Sequence, residues 1–268
     1  MSRPPTHLYL RGALPEGRKI AIVGTRQATS DALCYAHDLA VRLCKEGWSV
    51  WSGGATGIDS AVHQGAIDAH GKTVVVMGTG FDRLYPSQNT KLFEHVLDAD
   101  GAWLSLYPPQ QLGTRWSFLA RNELLAAMVD HVVLVQAPVR SGARSTMAAA
   151  RRMGKVLWAV PASPWEKKAE GCLLEIEAGA RALVFSEQIL GIHRPCARGV
   201  SRPEPLDLSK HEQVVFDLVR QRPSHLDNLC EQSGLSVAEV SAAVLSLILR
   251  RVLLENADCR YYLNGYSP

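Results

Sequence analysis

The sequence predicts an α/β protein: an extended Rossmann-like, doubly wound and mostly parallel sheet, followed by a small winged-helix domain. Three observations predict it. Between residues 19 and 186, short apolar runs alternate with longer stretches of helical periodicity. Most of those runs are uninterrupted Val, Ile, Leu and Ala, as in strands covered on both faces. Beyond residue 205 the alternation stops, and three closely spaced helical patterns end in a hairpin. The expected division is residues 1–191 as the Rossmann-like domain with a short N-terminal extension, 192–205 as a linker, and 206–268 as the winged helix.

Each element has its own signal. The strand candidates are "KIAIVG", "WSVWSG", "KTVVVMG", "AWLSLY", "HVVLVQA", "KVLWAVP" and "ALVFS". Between the first two, Leu33, Ala36, Leu39, Ala40, Leu43 and Cys44 fall on one helical stripe, and Gly47 supplies a stop. The segment "HRPCARGVSRPEPLDLS" has the prolines and glycine of a linker. After it, "KHEQVVFDLVRQ", "HLDNLCEQSG" and "SVAEVSAAVLSLILRR" read as helices, the last with Ser236 as N-cap, and "VLLENADCRYYLNG" reads as a hairpin wing.

Composition narrows the function classes. A chain of 268 residues with 47% apolar content fills one large and one small domain. The net charge of +3 permits a local basic groove but not coating of nucleic acid by bulk charge. The N-terminal stretch lacks the apolar core of a signal peptide, and no run is apolar enough to span a bilayer, so a cytoplasmic protein is expected, with no membrane contact. Cys34, Cys44, Cys172, Cys196, Cys230 and Cys259 form no CxxC pair and no zinc pattern, so they read as reduced thiols; no metal and no cofactor are expected.

Four polar turns fall where strands meet helices. They contribute Gly24, Thr25 and Arg26; Ser52, Gly53, Gly54, Thr56 and Gly57; Gly78, Thr79 and Gly80; and Ser141 and Gly142. In an open parallel sheet ligands bind at the C-terminal strand ends. Glycine lets backbone N–H groups approach an anion at a helix N-terminus. Any doubly wound sheet needs some such glycines, but four turns on one edge point to an anionic ligand. A dinucleotide fits poorly, because the first turn is "GTRQAT" and no acidic residue ends the second strand.

These residues resemble the DNA-processing protein A (DprA/Smf) family of bacteria over nearly the whole chain. Gly24, Thr25 and Arg26 match its G-S/T-R. Ser52, Gly53, Ala55, Gly57, Ile58, Asp59 and, at the end, His63 match S-G-x-A-x-G-I-D-x-x-A-H. Gly78, Thr79, Gly80, Tyr85 and Pro86 match G-T-G and Y-P; Ser105, Tyr107, Pro108 and Pro109 match S-x-Y-P-P. Arg121 and Asn122 match R-N, Ser141 and Gly142 match S-G, and Ala159, Val160 and Pro161 match A-V-P. The resemblance implies a non-enzymatic protein that binds single-stranded DNA, protects incoming strands, forms a homodimer and helps load the RecA recombinase in natural transformation. It also implies a basic residue three positions before an aromatic, here Arg115 before Phe118, with Arg121 one turn later. A cation beside a ring suits single strands; the alternative is that Trp116 and Phe118 simply cover the sheet edge.

The chain departs from the family at Thr56, Leu106, Ala120, Glu123, Gln136, Ala137 and Leu173. The losses of arginine and glutamate predict a weaker groove or a changed ligand. Asp59 and His63 share a helix face without a Ser or Cys nucleophile, so a structural hydrogen bond is favoured over general-base work. Two alternatives to DNA stay open: a small-nucleotide sensor, and a phosphoribohydrolase-like enzyme, whose P-G-G-x-G-T loop is absent from "APVRSGARST". The last 63 residues carry six basic and eight acidic side chains, and the third helix shows Val237, Val240, Val244, Leu247 and Ile248 as its core stripe. That composition fits a protein-contact module, or one that docks on the first domain, better than a duplex reader.

Overall fold

The computed structural model describes residues 5–191, 208–221, 224–250, 252–255 and 260–263. The expected linker, 192–205, lies outside the described residues. The chain divides into two compact units, Met1–Arg194 and Pro195–Pro268.

The first unit runs β1 (Tyr9–Gly12), β2 (Lys19–Val23), α1 (Ser30–Lys45), β3 (Ser49–Ser52), α2 (Ile58–Asp68), β4 (Thr73–Met77), α3 (Thr90–Asp98), β5 (Ala102–Ser105), α4 (Arg115–Met128), β6 (His131–Leu134), α5 (Gly142–Arg152), β7 (Val156–Ala159), α6 (Glu170–Glu177), β8 (Arg181–Ala182) and α7 (Glu187–Leu190). One eight-stranded sheet orders them β1-β5-β4-β3-β2-β6-β7-β8. Every pairing is parallel except β1 with β5. Because β2 lies between β3 and β6, the strand order reverses there, which opens a crevice at the C-terminal strand ends.

The apolar runs are buried on both faces. Ile20, Ile22 and Val50 pack with Leu43 of α1 and Val62 of α2. Ala21, Val23 and Trp51 pack with Leu124 and Leu125 of α4 and Met147 of α5. In α1 the buried stripe is Ala32, Ala36, Leu39, Ala40 and Leu43, with Leu33 and Cys44 at its margin. Gly47 follows the helix at φ +76°.

Two strands differ from expectation. β1 has one half-buried residue among four, too weak a pattern to read, yet it pairs from Tyr9 opposite Ser105 to Gly12 opposite Ala102. The "ALVFS" run pairs only through Ala182, with one further bond from Leu183 N–H to Ala159 O. The Gln188 side chain then accepts from the N–H of Val184 and Phe185 at 2.7 and 2.8 Å, which ends the edge strand.

The second unit contains α8 (Lys210–Gln221), β9 (Ser224–His225), α9 (Leu226–Ser233), α10 (Val237–Leu249), β10 (Leu253–Glu255) and β11 (Arg260–Leu263). β9 adds a third strand to the hairpin through β11. Ser236 caps α10 and Glu239 closes the capping box. The core takes Val215, Val219, Leu229, Val240, Ala243, Val244 and Leu247, with Ile248 partly buried against it. Val237 does not join the stripe: it is the first helical residue and 60% exposed. Among the described residues no single helix is long and apolar enough to cross a membrane.

Candidate nucleic-acid interface

A cleft of about 670 Å³ lies where the turns after β2, β3 and β6 meet the N-terminal half of α4. A smaller cavity of about 150 Å³ adjoins it, and Arg26, Gly53, Ala55, Phe118 and Arg121 line both. Together they make a groove across the switch point.

The structure brings eleven of the expected site residues to these walls: Gly24, Thr25, Arg26, Gly53, Thr56, Arg115, Phe118, Arg121, Asn122, Ser141 and Gly142. It keeps six others off them. Ser52 is buried and donates to Ile22 O at 2.7 Å. Gly54 faces Phe93 and Val75 in the core. Gly57 sits behind the first turn. Gly78, Thr79 and Gly80 are buried beneath the segment that leads into α4, with Phe118 over Gly78 and the carbonyls of Pro108 and Pro109 over Gly80. Three turns rather than four therefore floor the groove.

The glycines of the second turn answer to the protein's own packing. Gly57 has φ +82°, and a Cβ there would collide with Thr25 O. A Cβ on Gly53 would occupy the space of the Arg121 guanidinium. Arg121 is itself buried; its Nη1 donates to Gly53 O and, at 3.0 Å, to Val76 O. The Ala55 N–H donates to the buried Asp59 carboxylate at 3.2 Å. So the amides expected to hold phosphate are partly spent on Asp59. Burial raises the Asp59 pKa against the opposing pull of Arg121. Arg121 thus holds the turn in place and offsets Asp59, the one carboxylate among the groove-lining residues.

The accessible cations are Arg26, Arg115 and Arg140. All three are exposed, and no ion pair joins them among the described residues. Arg115 is the first residue of α4, after the Thr114–Ser117 capping box. Arg140 lies in the quoted fourth turn but carried no motif, so the sequence reading passed over it. Asn122 donates to Ser145 Oγ at 2.7 Å and Gly142 O at 3.2 Å, tying α4 to the start of α5. Gln136 accepts from Thr29 N–H at 3.0 Å, and its carbonyl accepts from Thr25 N–H at 2.7 Å, which braces the Arg26 turn. Phe118 lies 5.5 Å from the Tyr85 ring and 5.8 Å from the Arg121 guanidinium. It both covers the Gly78 turn and walls the groove.

His63 is fully buried, its Nδ1 2.8 Å from Thr73 Oγ1. The Thr73 hydroxyl donates to Val50 O, so the imidazole must donate through Nδ1, leaving Nε2 a bare, unpartnered acceptor. Burial, with a lesser push from Arg121, drives its pKa down to about 3. It anchors α2 to β4 and does not face the groove. Of the seven departures, only Thr56 lines it. Glu123 pairs instead with Arg152 at 3.0 Å.

Residues 1–192 match the family model for DNA recombination-mediator protein A. The chain belongs to that family. Residues 200–253 match the DprA winged helix domain. The DNA processing protein DprA of Bacillus subtilis is 35% identical over 69% of this chain and 63% of its own length. The crystal structure of DprA from Streptococcus pneumoniae superposes with a TM-score of 0.64 at 31% identity, covering 69% of this chain and 65% of that one. A Helicobacter pylori DprA structure, described for its single-stranded DNA binding mode, gives 0.65 at 30% identity over 71% and 88%. This chain therefore spans under two thirds of the length of the first two relatives.

Proposed function

We propose that the groove of the first unit binds single-stranded DNA. The observation that carries this is the convergence of three uncommitted arginines, Arg26, Arg115 and Arg140, on a continuous groove walled by Phe118. Cations track the phosphates of a flexible strand while rings take its bases. Membership of the family and the printed DNA-binding mode of the H. pylori relative support the reading. In this reading the protein protects incoming strands, acts as a homodimer and helps place RecA on them, without enzymatic turnover. The inward-turned His63 and the absent phosphoribohydrolase loop favour binding over catalysis.

Fluorescence anisotropy with labelled single-stranded and duplex oligonucleotides tests the reading. The single strand should bind more tightly, and Arg26→Ala should weaken binding without lowering the melting temperature. Equal affinity for duplex, or an Arg26→Ala protein that is folded and fully competent, contradicts it. Release of free base from nucleoside monophosphates by the purified protein would contradict the non-enzymatic part.

A further inference from the structure

Four of the six tryptophans, Trp48, Trp51, Trp103 and Trp158, are buried. Trp116 is 76% exposed, with no ring or hydrogen-bond partner among the described residues. It does not cover the sheet edge, which was one reading of its position. Its place on α4 is specific. Arg115, Phe118, Leu119 and Asn122 line the cleft, and Trp116 follows Arg115 at the N-terminal end of that helix. Residues three apart are surface neighbours on a helix, so Trp116 adjoins Leu119, which is itself half-exposed and faces the cleft. An apolar step thus leads from the cleft wall to the indole, and Arg115, the residue before it in the chain, lines the cleft.

An exposed indole that adjoins a cation-lined groove through Leu119 suits an unpaired nucleobase of a strand whose phosphates that groove holds. Every base has a face to stack, and the indole is the largest such surface a side chain offers. The groove that the indole adjoins through Leu119 carries Arg26, Arg115 and Arg140, which favours an anionic strand over a protein partner. We propose that Trp116 is a base-stacking platform at the rim of the groove, for a strand whose phosphates the groove arginines hold. The proposal rests on the single-strand reading and extends the strand's path beyond Phe118 onto the outer face of α4.

The test uses the full chain carrying Trp165→Phe, since Trp165 is the other exposed tryptophan at 82%. An oligothymidine strand should quench the remaining exposed fluorescence in step with binding followed by anisotropy of a labelled strand. Trp116→Ala should lose affinity roughly ten- to hundredfold, as stacked rings do. It should leave the salt slope unchanged, because stacking releases no counterions, whereas Arg115→Ala should flatten the slope by about 0.7. Trp116→Phe should recover part of the loss. A strand of abasic sites should bind Trp116→Ala and its parent alike. If the parent binds the strand but Trp116→Ala binds it equally well, the stacking role falls and the single-strand reading stands. If the parent binds no strand, both fall. If Trp116→Ala changes only the sedimentation coefficient, the indole belongs to a contact between copies and the proposal is overturned.

Discussion

At the residue scale, Arg121 shows how one side chain organises the groove. It was read as a DNA contact because it follows Phe118 by one helical turn. The structure turns its guanidinium inward, onto Gly53 O and Val76 O and beside Asp59. Removing it strips the buried Gly53 and Val76 carbonyls of a charged donor and Asp59 of a nearby positive charge, at a cost of about 1–3 kcal/mol. Arg121→Ala should therefore lower the melting temperature sharply in calorimetry, where Arg26→Ala does not. An unchanged melting temperature would place Arg121 among the strand contacts instead. His63 gives a second outcome. Its folded pKa of about 3 lies below the ordinary value of 6.5. The unfolded chain thus binds a proton that the native state refuses, and stability falls as pH drops from 6.5 towards 3. Asp59, shifted upward, acts in the opposite sense, so the His63 share is the difference between wild type and variant. In urea unfolding, His63→Gln should flatten the decline below pH 6.5 relative to wild type. Parallel pH profiles would contradict the buried neutral imidazole.

At the element scale, six of the seven apolar runs became the strands they predicted, because short, mostly apolar runs between turns suit strands covered on both faces. The Ser236 cap was legible for a similar reason: Ser followed three residues later by Glu satisfies local donors without tertiary help. β1 and β9 were not legible. Each is too short to carry a period and exists only through a partner distant in sequence, Ser105 for Tyr9 and Tyr261 for Ser224. The glycine turns were visible, but their reasons were not. Whether Gly53 faces a phosphate or Arg121 depends on a helix 68 residues away. The second unit makes its own prediction. Outside its core, α10 presents Ala238, Glu239, Ala242, Leu245 at 58% and Leu249 at 75% exposure, and Glu239 is committed to the cap. Such a face supplies no phosphate contacts. Residues 206–268 produced alone, with their own apolar core, should fold yet show no mobility shift of duplex DNA at physiological salt. A tight, salt-sensitive shift would make the unit a DNA reader.

At the scale of the whole molecule, a net charge of only +3 is not spread as a coat. Part of it is gathered at the switch point, where Arg26, Arg115 and Arg140 come from three separated stretches of sequence. Motif spacing located two of them; the third needed the fold, because nothing in "VRSGARST" marks Arg140 apart from Arg144, which is spent on Glu175 and Val139 O. On the proposed reading, these three side chains hold the phosphates of a single strand. The direct measurement is the slope of log affinity against log salt for a single-stranded oligonucleotide, in wild type and in the triple variant Arg26→Ala, Arg115→Ala, Arg140→Ala. Each phosphate contact contributes about 0.7 to that slope, so the variant should lose about two units while keeping its melting temperature. A folded triple variant with the wild-type slope would show that the strand, if bound at all, lies elsewhere.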